Sequence, residues 1–375
     1  MNATFLRRTS YPTSGYSLGT REKRSSRRLL APPRRRNPLA WPLLGAVVIA
    51  GLLGLHVLTT PTTQTIRVVA ATSKPPATAR PRASSPQPVA IVPRATPSPS
   101  PSPTPVPTAL PEVKVPVISR TWLKTHPPAV APSIKGRAAI VVDLTTGQVL
   151  YEQAGTTRSA EASITKLMTA MVAVDLAPLD TTITVSAQAT QVEPNLMGLS
   201  AGERLTLREL LDGLLLNSGN DAAEAIASGI VDRSHFVDFM NQKAAALHLR
   251  GTHFTNPSGL DDPNHFSTAS DLAVVSATLL ADYPDLRAIV GTKDVTIPAT
   301  ATHKAFTPSN IDRLLWTYPG AIGLKPGYTD AAGYCQAAAA TRHGRTILAI
   351  VLGSTQHFTD AATLLDYGFA HPVTR

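Results

Sequence analysis

Ser163-Ile164-Thr165-Lys166 is the most informative stretch of this sequence, and it lies in an apolar run at 160–174 that has few helix breakers. In a helix, residues three apart share a face, so the amine of Lys166 can reach the hydroxyl of Ser163. A lysine in a poorly solvated pocket, or beside other cations, loses part of its proton affinity and can accept the serine proton near neutral pH. Taken alone, however, a Ser-x-x-Lys tetrapeptide is more typical of a surface helix with an ordinary lysine.

Two further runs turn this tetrapeptide into one member of an ordered set. Ser218-Gly219-Asn220 follows an apolar helical pattern at 210–216 and supplies a second hydroxyl and an amide. Lys325-Pro326-Gly327 comes later, ahead of a strand-like run. The order Ser-x-x-Lys, Ser-x-Asn and Lys-x-Gly is the signature of the penicillin-recognising serine acyl transferases.

With these motifs the chain resembles one family in particular, the serine D-alanyl-D-alanine carboxypeptidases, that is, the low-molecular-mass penicillin-binding proteins. The resemblance covers about residues 135–370 and extends beyond the motifs, with similar runs at 139–143, 146–151, 197–203, 217–223 (around the second motif), 240–241, 256–260 and 267–271. This number of matches in order makes a chance resemblance a poor explanation.

The third motif departs from the family pattern, which usually reads Lys-Thr-Gly, because Pro326 replaces the threonine. Proline offers neither a hydroxyl nor a backbone N–H, and inside a sheet it belongs on an edge strand. Losing one charge-assisted hydrogen bond to the substrate carboxylate would weaken binding by about 1.5–3 kcal/mol, unless Thr329 or a water replaces it. We therefore expect lower activity or altered selectivity.

The order of predicted elements indicates an α/β (α+β) fold. We expect a strand hairpin at 137–152, a helical stretch at 163–285, strands around 293–298, 320–325, 333–341 and 346–352, and a closing helix near 357–370. Strands at both ends with helices between them suit one sheet packed beside an all-helical lobe. The resemblance implies the same plan, a β-lactamase/transpeptidase-like fold with an antiparallel sheet and an active site between sheet and lobe.

The resemblance also implies three catalytic residues. Ser163, at the start of a helix, would attack the carbonyl of a D-alanyl-D-alanine bond and form an acyl-enzyme. Lys166 is the expected base, and Ser218, on a loop of the helical lobe, would relay a proton to the leaving amine.

Five further residues are expected to bind substrate. Asn220 would hydrogen-bond a substrate amide, and Lys325, at the sheet edge, would meet the terminal carboxylate. The backbone N–H groups of Ser163 and Tyr328 would form the oxyanion hole. The complete predicted substrate-binding set is Asn220, Lys325, Gly327, Tyr328 and Thr329.

The N-terminal part predicts a membrane anchor. Residues 1–37 form a basic tail, with ten basic residues and one acidic residue before position 37, and residues 38–59 contain an uncharged, nearly apolar stretch. Twenty residues at about 1.5 Å each cross a ~30 Å hydrocarbon core, and the basic flank predicts a cytoplasmic N-terminus in a single-pass cell-membrane protein. A signal peptide cleaved near Ala70-Ala71, which would release the domain as a secreted protein, is the alternative.

A linker at 60–118 would join this anchor to a catalytic domain at 119–375. Residues 75–111 hold 13 of the 33 prolines of the chain, which is typical of an extended extracytoplasmic spacer. The net charge of +10 arises in the tail and the linker, because residues 112–375 contain 20 basic and 24 acidic residues. This distribution argues against a nucleic-acid partner.

Cofactor and metal sites are not expected, since His253, His265, His303, His343 and His357 lack metal-ligand spacing. The single cysteine, Cys335, rules out an internal disulfide and reads as a small buried residue of a strand. The expected partners are peptidoglycan stem peptides and β-lactams, while the sequence leaves the oligomeric state open.

Three related activities stay open beside the carboxypeptidase. A D,D-endopeptidase would use the same site, and a serine β-lactamase would use the same acylation. A β-lactamase often carries a deacylating glutamate between the second and third motifs, and residues 257–375 contain no Glu, which argues against that arrangement. Pro326 also allows a catalytically weak, wall-binding module on a stalk.

Overall fold

The computed structural model of the protein describes residues 109–373. Its helices and strands, in chain order, are α1 (Thr121–Thr125), β1 (Ala138–Asp143), β2 (Gln148–Gln153), α2 (Thr165–Leu176), β3 (Thr182–Thr184), β4 (Arg204–Thr206), α3 (Leu207–Leu215), α4 (Asn220–Ile230), α5 (Arg233–Ala246), α6 (Ala269–Asp282), α7 (Pro284–Val290), α8 (Leu314–Thr317), β5 (Ala321–Thr329), β6 (Gly333–Arg342), β7 (Arg345–Ser354) and α9 (His357–Ala370).

Five strands form one antiparallel sheet in the order β2-β1-β7-β6-β5. The first and last strands of the domain meet inside it, because β1 pairs with β7 along its whole length. The predicted sheet, closed by both ends of the domain, is therefore confirmed. β5 lies at the edge, which is the position that the proline of its Lys-Pro-Gly motif requires.

The sheet is covered on both faces, which explains why all six residues of β1 are buried. Successive side chains of a strand point to opposite faces. Ile140 and Val142 therefore pack into the core shared with helices α2 to α6, whereas Ala139 and Val141 pack with the C-terminal helix α9. The predicted helical lobe therefore covers one face of the sheet, and the predicted closing helix covers the other.

Capping residues in the sequence mark the starts of two helices. Thr206 caps α3 by accepting the backbone N–H of Glu209 at 3.3 Å, and Glu209 accepts the N–H of Thr206 in return, which completes a capping box. Thr268 caps α6 in a similar way through the N–H of Asp271.

Two predictions about the elements are wrong. The predicted strand at 293–298 forms only the isolated bridges Asp294–Ser309 and Ile297–Phe306. Val295 donates its N–H to the carbonyl of Pro308, and proline has no N–H to return, so a regular ladder cannot continue there. The helical stretch at 163–285 is interrupted by the small β3–β4 sheet and by a long segment at 247–268.

The predicted tail at 1–37, the anchor at 38–59 and most of the linker at 60–118 lie outside the described residues. Within residues 109–373, none of the helices has the length and hydrophobicity needed to cross a membrane. Leu110 and Val113 already pack against the core, and Ser119 pairs with the β1–β2 hairpin through Gly147. The folded region therefore starts before residue 119.

Candidate active site

Ser163 lies in a 3-10 turn, Ala162–Ile164, that leads directly into α2, so it stands at a helix start as predicted. The turn is held in an unusual conformation, because Ala162 has a φ of +50°, in the left-handed region. Gly259 packs so closely against it that a Cβ at that position would lie 1.9 Å from the carbonyl oxygen of Ala162. Only glycine fits there, and the strained turn is therefore fixed by its neighbours.

Lys166 is fully buried and its amine contacts Ser163, the predicted nucleophile. Its Nζ donates to Ser163 Oγ at 3.0 Å, to Asn220 Oδ1 at 2.8 Å and to the carbonyl of Ser258 at 2.6 Å. Three acceptors match the three protons of an ammonium group and fix its position. Burial, and next the positive charge of Lys325, hold the pKa of Lys166 well below its ordinary value. The amine is thus suited to accept a proton.

The contact with Ser258 is one that sequence reasoning missed. Asn256 orders this segment, since its Oδ1 accepts the backbone N–H groups of Ser258 at 3.1 Å and of Gly259 at 2.8 Å. The sequence Asn-Pro-Ser-Gly at 256–259 predicts a turn, but it does not predict which carbonyl of that turn will contact a lysine from another element.

Ser218 lies on the loop between α3 and α4, as predicted, with a φ of +64°. Its hydroxyl is buried, yet it has no hydrogen-bond partner among the residues that the structure describes. Buried hydroxyls normally have a partner, and strained, unsatisfied groups are typical of functional sites. Ser218 also lines the same cavity as Ser163, so a bound substrate could supply the missing partner.

Asn220 begins α4 and is engaged on both sides of its amide. Its Oδ1 accepts from Lys166, and its Nδ2 donates to the carbonyl of Glu193 at 3.0 Å. Its backbone N–H also donates to the carbonyl of Asn195 at 2.7 Å. The structure therefore places Asn220 as a support for the lysine and for the loop at 193–195, with one Nδ2 proton left over. Its contact with a substrate amide stays a prediction.

Lys325 is also fully buried. Its Nζ donates to the carbonyl of Pro326 at 3.1 Å, and burial lowers its pKa to about 7, an effect that the charge of Asp312 opposes. Asp312 is buried as well, and burial raises its pKa to about 6. The predicted positive charge for a substrate carboxylate is therefore weak at neutral pH until an anion approaches.

Gly327 brings strand β5 against the Ser163 turn. A Cβ at Gly327 would lie 2.8 Å from the backbone nitrogen of Ser163 and 3.0 Å from Cβ of Ala162. This close approach places the backbone nitrogen of Ser163 against the strand that carries Tyr328. The oxyanion hole that the N–H groups of these two residues would form stays a prediction. Thr329 is the last residue of β5, and its Oγ1 accepts the N–H of Ala332 in the following turn at 3.1 Å. It is not placed to replace the hydroxyl missing at Pro326.

A cavity of about 590 Å³ opens over Ser163. Ser218 lines one side, and Pro326, Gly327 and Tyr328 line the other, so the cleft runs between the helical lobe and the sheet edge as predicted. Asn220, Lys325 and Thr329 are not among the described residues that line it. A larger cavity of about 930 Å³ lies at the β1–β2 turn, but none of the motif residues lines it.

Other predictions about reactive groups concern Cys335 and metals. Cys335 is buried in β6, and burial raises the pKa of its thiol to about 12, so it is a core residue as expected. Across residues 109–373, no three His, Cys, Asp or Glu side chains are grouped closely enough to hold a metal ion.

Several known proteins are similar to this chain in sequence. The family profile described as D-alanyl-D-alanine carboxypeptidase matches residues 124–356. D-alanyl-D-alanine carboxypeptidase DacB2 of Mycobacterium tuberculosis is 40% identical over 239 residues, which cover 62% of this chain and 81% of that protein. DacF of Bacillus subtilis, also named a D-alanyl-D-alanine carboxypeptidase, is 32% identical over 252 residues, covering 64% of this chain and 64% of that protein.

A solved structure agrees with these relatives. The crystal structure of a Streptomyces DD-transpeptidase superposes with a TM-score of 0.62 at 33% identity, covering 65% of this chain and 100% of that chain. This confirms the predicted α+β, transpeptidase-like architecture. Since the family profile spans more than half of the sequence, the chain belongs to the D-alanyl-D-alanine carboxypeptidase family of serine hydrolases.

Proposed function

We propose that this protein is a serine-type D-alanyl-D-alanine carboxypeptidase that removes the terminal D-alanine of peptidoglycan stem peptides through an acyl-enzyme on Ser163. The observation that carries the proposal is the 3.0 Å hydrogen bond between Lys166 Nζ and Ser163 Oγ in a buried site. The family and the names of the relatives support the substrate class.

Acylation begins with Lys166 as the base. Its lowered pKa allows a neutral amine to take the proton of Ser163 Oγ while that oxygen attacks the carbonyl of the terminal peptide bond. Backbone N–H groups of Ser163 and Tyr328 stabilise the negative charge on the carbonyl oxygen. Removal of one such donor typically lowers kcat by about 10²–10³.

The leaving amine then needs a proton. Ser218 lines the cavity beside Ser163 and passes a proton from Lys166 to the nitrogen of the departing D-alanine. Water next attacks the ester on Ser163, the C–O bond breaks, and the proton of that water returns to the Ser163–Lys166 pair. Asn220 and the carbonyl of Ser258 keep the amine of Lys166 in place through both steps.

A labelling experiment with a fluorescent penicillin tests this proposal. The parent protein should form a covalent adduct and should release D-alanine from a diacetyl-L-lysyl-D-alanyl-D-alanine peptide. Ser163→Ala should lose both activities while keeping its melting temperature. Ser276→Ala is the matched control, because Ser276 is also a buried serine but lies in α6, outside the cavity. Labelling that survives in Ser163→Ala would contradict the assignment of the nucleophile.

The same experiment separates the alternatives. A serine β-lactamase would hydrolyse the penicillin rapidly and leave little adduct, whereas a carboxypeptidase keeps the label. A wall-binding module without chemistry would not be labelled at all. A D,D-endopeptidase would cleave a cross-linked stem dimer faster than the pentapeptide, which a chromatographic comparison of both substrates shows.

We also propose that the protein is anchored in the cell membrane with its catalytic domain outside. The charge and hydropathy pattern of residues 1–59 supports this arrangement. External protease added to intact cells should degrade a C-terminal tag and spare an N-terminal one. A mature N-terminus near residue 72 would instead show that a signal peptide is removed and that the domain is secreted.

A further inference from the structure

The cavity over Ser163 extends beyond the motif residues towards the start of α9. Four predicted site residues line it, namely Ser163, Ser218, Gly327 and Tyr328, and Pro326 of the third motif lines it as well. In the proposed function, Ser218 serves the leaving amine and the third motif meets the terminal carboxylate. The cavity therefore lies on the side of the leaving group.

The far wall of this cavity is aromatic. Tyr328 and Tyr334 face each other across the β5–β6 pair with ring centroids 4.6 Å apart, and Tyr334 stacks on His357 at 4.8 Å with an interplanar angle of 8°. Phe358 follows His357 with centroids 3.9 Å apart. We call these four residues the aromatic wall. All four line the cavity.

The aromatic wall is open to solvent and uncharged. Tyr328 is 52% exposed and Tyr334 is 42% exposed, and the two adjacent rings form a contiguous exposed patch of a kind that often marks a binding site. Burial, and next the charge of Arg313, lower the pKa of His357 to about 4, so this imidazole stays neutral near neutral pH. The wall thus offers a continuous apolar surface of a kind that ligand pockets use.

The charge on the described surface of the cavity is positive. Arg313 lines it, and none of the described lining residues is acidic. A ligand that combines a free carboxylate with a bulky apolar side chain fits this combination of a guanidinium and aromatic rings. The C-terminal residue of a stem peptide carries such a carboxylate, and a large apolar side chain on that residue would contact the aromatic wall.

We propose that the aromatic wall binds the side chain of the leaving D-amino acid, and that the enzyme cleaves stem peptides ending in D-leucine or D-phenylalanine as well as D-alanine. This proposal rests on the proposed function. Chemically the step is the same hydrolysis, in which the last peptide bond breaks, Ser163 holds the acyl group, and the free D-amino acid leaves with its amine protonated.

The test compares diacetyl-L-lysyl-D-alanyl-D-Xaa peptides in which Xaa is alanine or phenylalanine. We expect the parent to cleave both with similar kcat/KM. Tyr334→Ala should lower the ratio of the D-phenylalanine to the D-alanine value by roughly three- to tenfold, the usual contribution of one aromatic contact. Tyr334→Phe, which keeps the ring, should restore the ratio.

Trp316→Ala is the matched control. Trp316 is 45% exposed and lies in the chain between Arg313 and Thr317, which line the cavity, but it does not line the cavity itself. Its ratio should equal that of the parent. The proposal is overturned if the parent cleaves the D-alanine peptide but not the D-phenylalanine peptide, or if Tyr334→Ala leaves the ratio unchanged.

A second measurement keeps this proposal separate from the proposed function. If the protein released no D-amino acid from either peptide, the carboxypeptidase assignment would fail. The subsite would then be measured by acylation rates of two cephalosporins that share one acylamino group and carry a methyl or an aromatic substituent beside the carboxylate. The same drop in ratio for Tyr334→Ala supports the subsite, and an unchanged ratio refutes it.

Discussion

Gly327→Ala tests the contact on which the proposed oxyanion hole depends. The new Cβ would lie 2.8 Å from the backbone nitrogen of Ser163, whereas ordinary contacts begin near 3.4 Å, so strand and turn must separate by about 0.6 Å. Both neighbours are backbone or Cβ atoms and cannot rotate away. A misplacement of about 1 Å can reduce a rate by roughly 10²-fold, so we expect acylation by a fluorescent penicillin to fall by about 10- to 100-fold.

The same substitution should also destabilise the domain. Overpacking usually costs about 1–3 kcal/mol, and each kcal/mol lowers the melting temperature of a domain of this size by roughly 2–4 °C. Gly291→Ala is the control, because its Cβ would meet nothing closer than 3.4 Å. Stopped-flow measurements give the acylation rates of both variants, and calorimetry gives their melting temperatures. An acylation rate in Gly327→Ala equal to that of Gly291→Ala would refute the reasoning.

Three further outcomes follow from the buried lysines and from Pro326. Lys166→Ala should stop acylation near neutral pH, and in the parent the acylation rate should fall as lower pH protonates Lys166; an equal rate in the variant would exclude Lys166 as the base. Pro326→Thr should raise kcat/KM for D-alanyl-D-alanine peptides by roughly tenfold, if one hydrogen bond worth about 1.4 kcal/mol is restored, and a correctly folded variant that is no faster would show that another group already fills this role. Since the folded-state pKa of Lys325 is about 7 against an ordinary 10.5, the unfolded chain binds more protons between these values, and stability should rise with pH in that window. In urea unfolding at pH 7 and pH 10, the free energy of unfolding should increase less between the two pH values for Lys325→Met than for the parent. An equal increase in both proteins would contradict a buried, weakly basic amine at Lys325.

The order of the elements was predictable because it depends on local patterns. The closing helix is predicted near 357–370 and observed at His357–Ala370, and the hairpin and last three strands also lie where alternation and turn residues indicate them. The predicted strand at 293–298 does not form because its neighbouring segment cannot complete the hydrogen bonds of a ladder. Pro308, opposite Val295, has no N–H to donate, and the sequence of 293–298 alone does not show which residue will lie opposite.

The catalytic set was also predictable, but only as a set of residue types in order. The sequence places Ser163, Lys166 and Ser218 on a helix start, a helix and a loop, and the structure has them there. The sequence does not show that Asn220 accepts a hydrogen bond from Lys166, because that contact depends on the approach of atoms from two separate elements. It also does not show that Thr329, at the end of β5, is engaged by the N–H of Ala332.

By itself, the sequence indicated the family, proposed Ser163 as nucleophile with Lys166 as its base, and predicted the edge position of the proline strand, because each follows from the spacing of motif residues or from the missing N–H of proline. Tertiary structure alone decided the burial of both lysines, the carbonyl of Ser258 beside Lys166, and the aromatic wall. The physical reason is that proton affinity and ligand shape depend on desolvation and on contacts between residues far apart in the chain, such as Tyr334 with His357, and no local pattern encodes those distances.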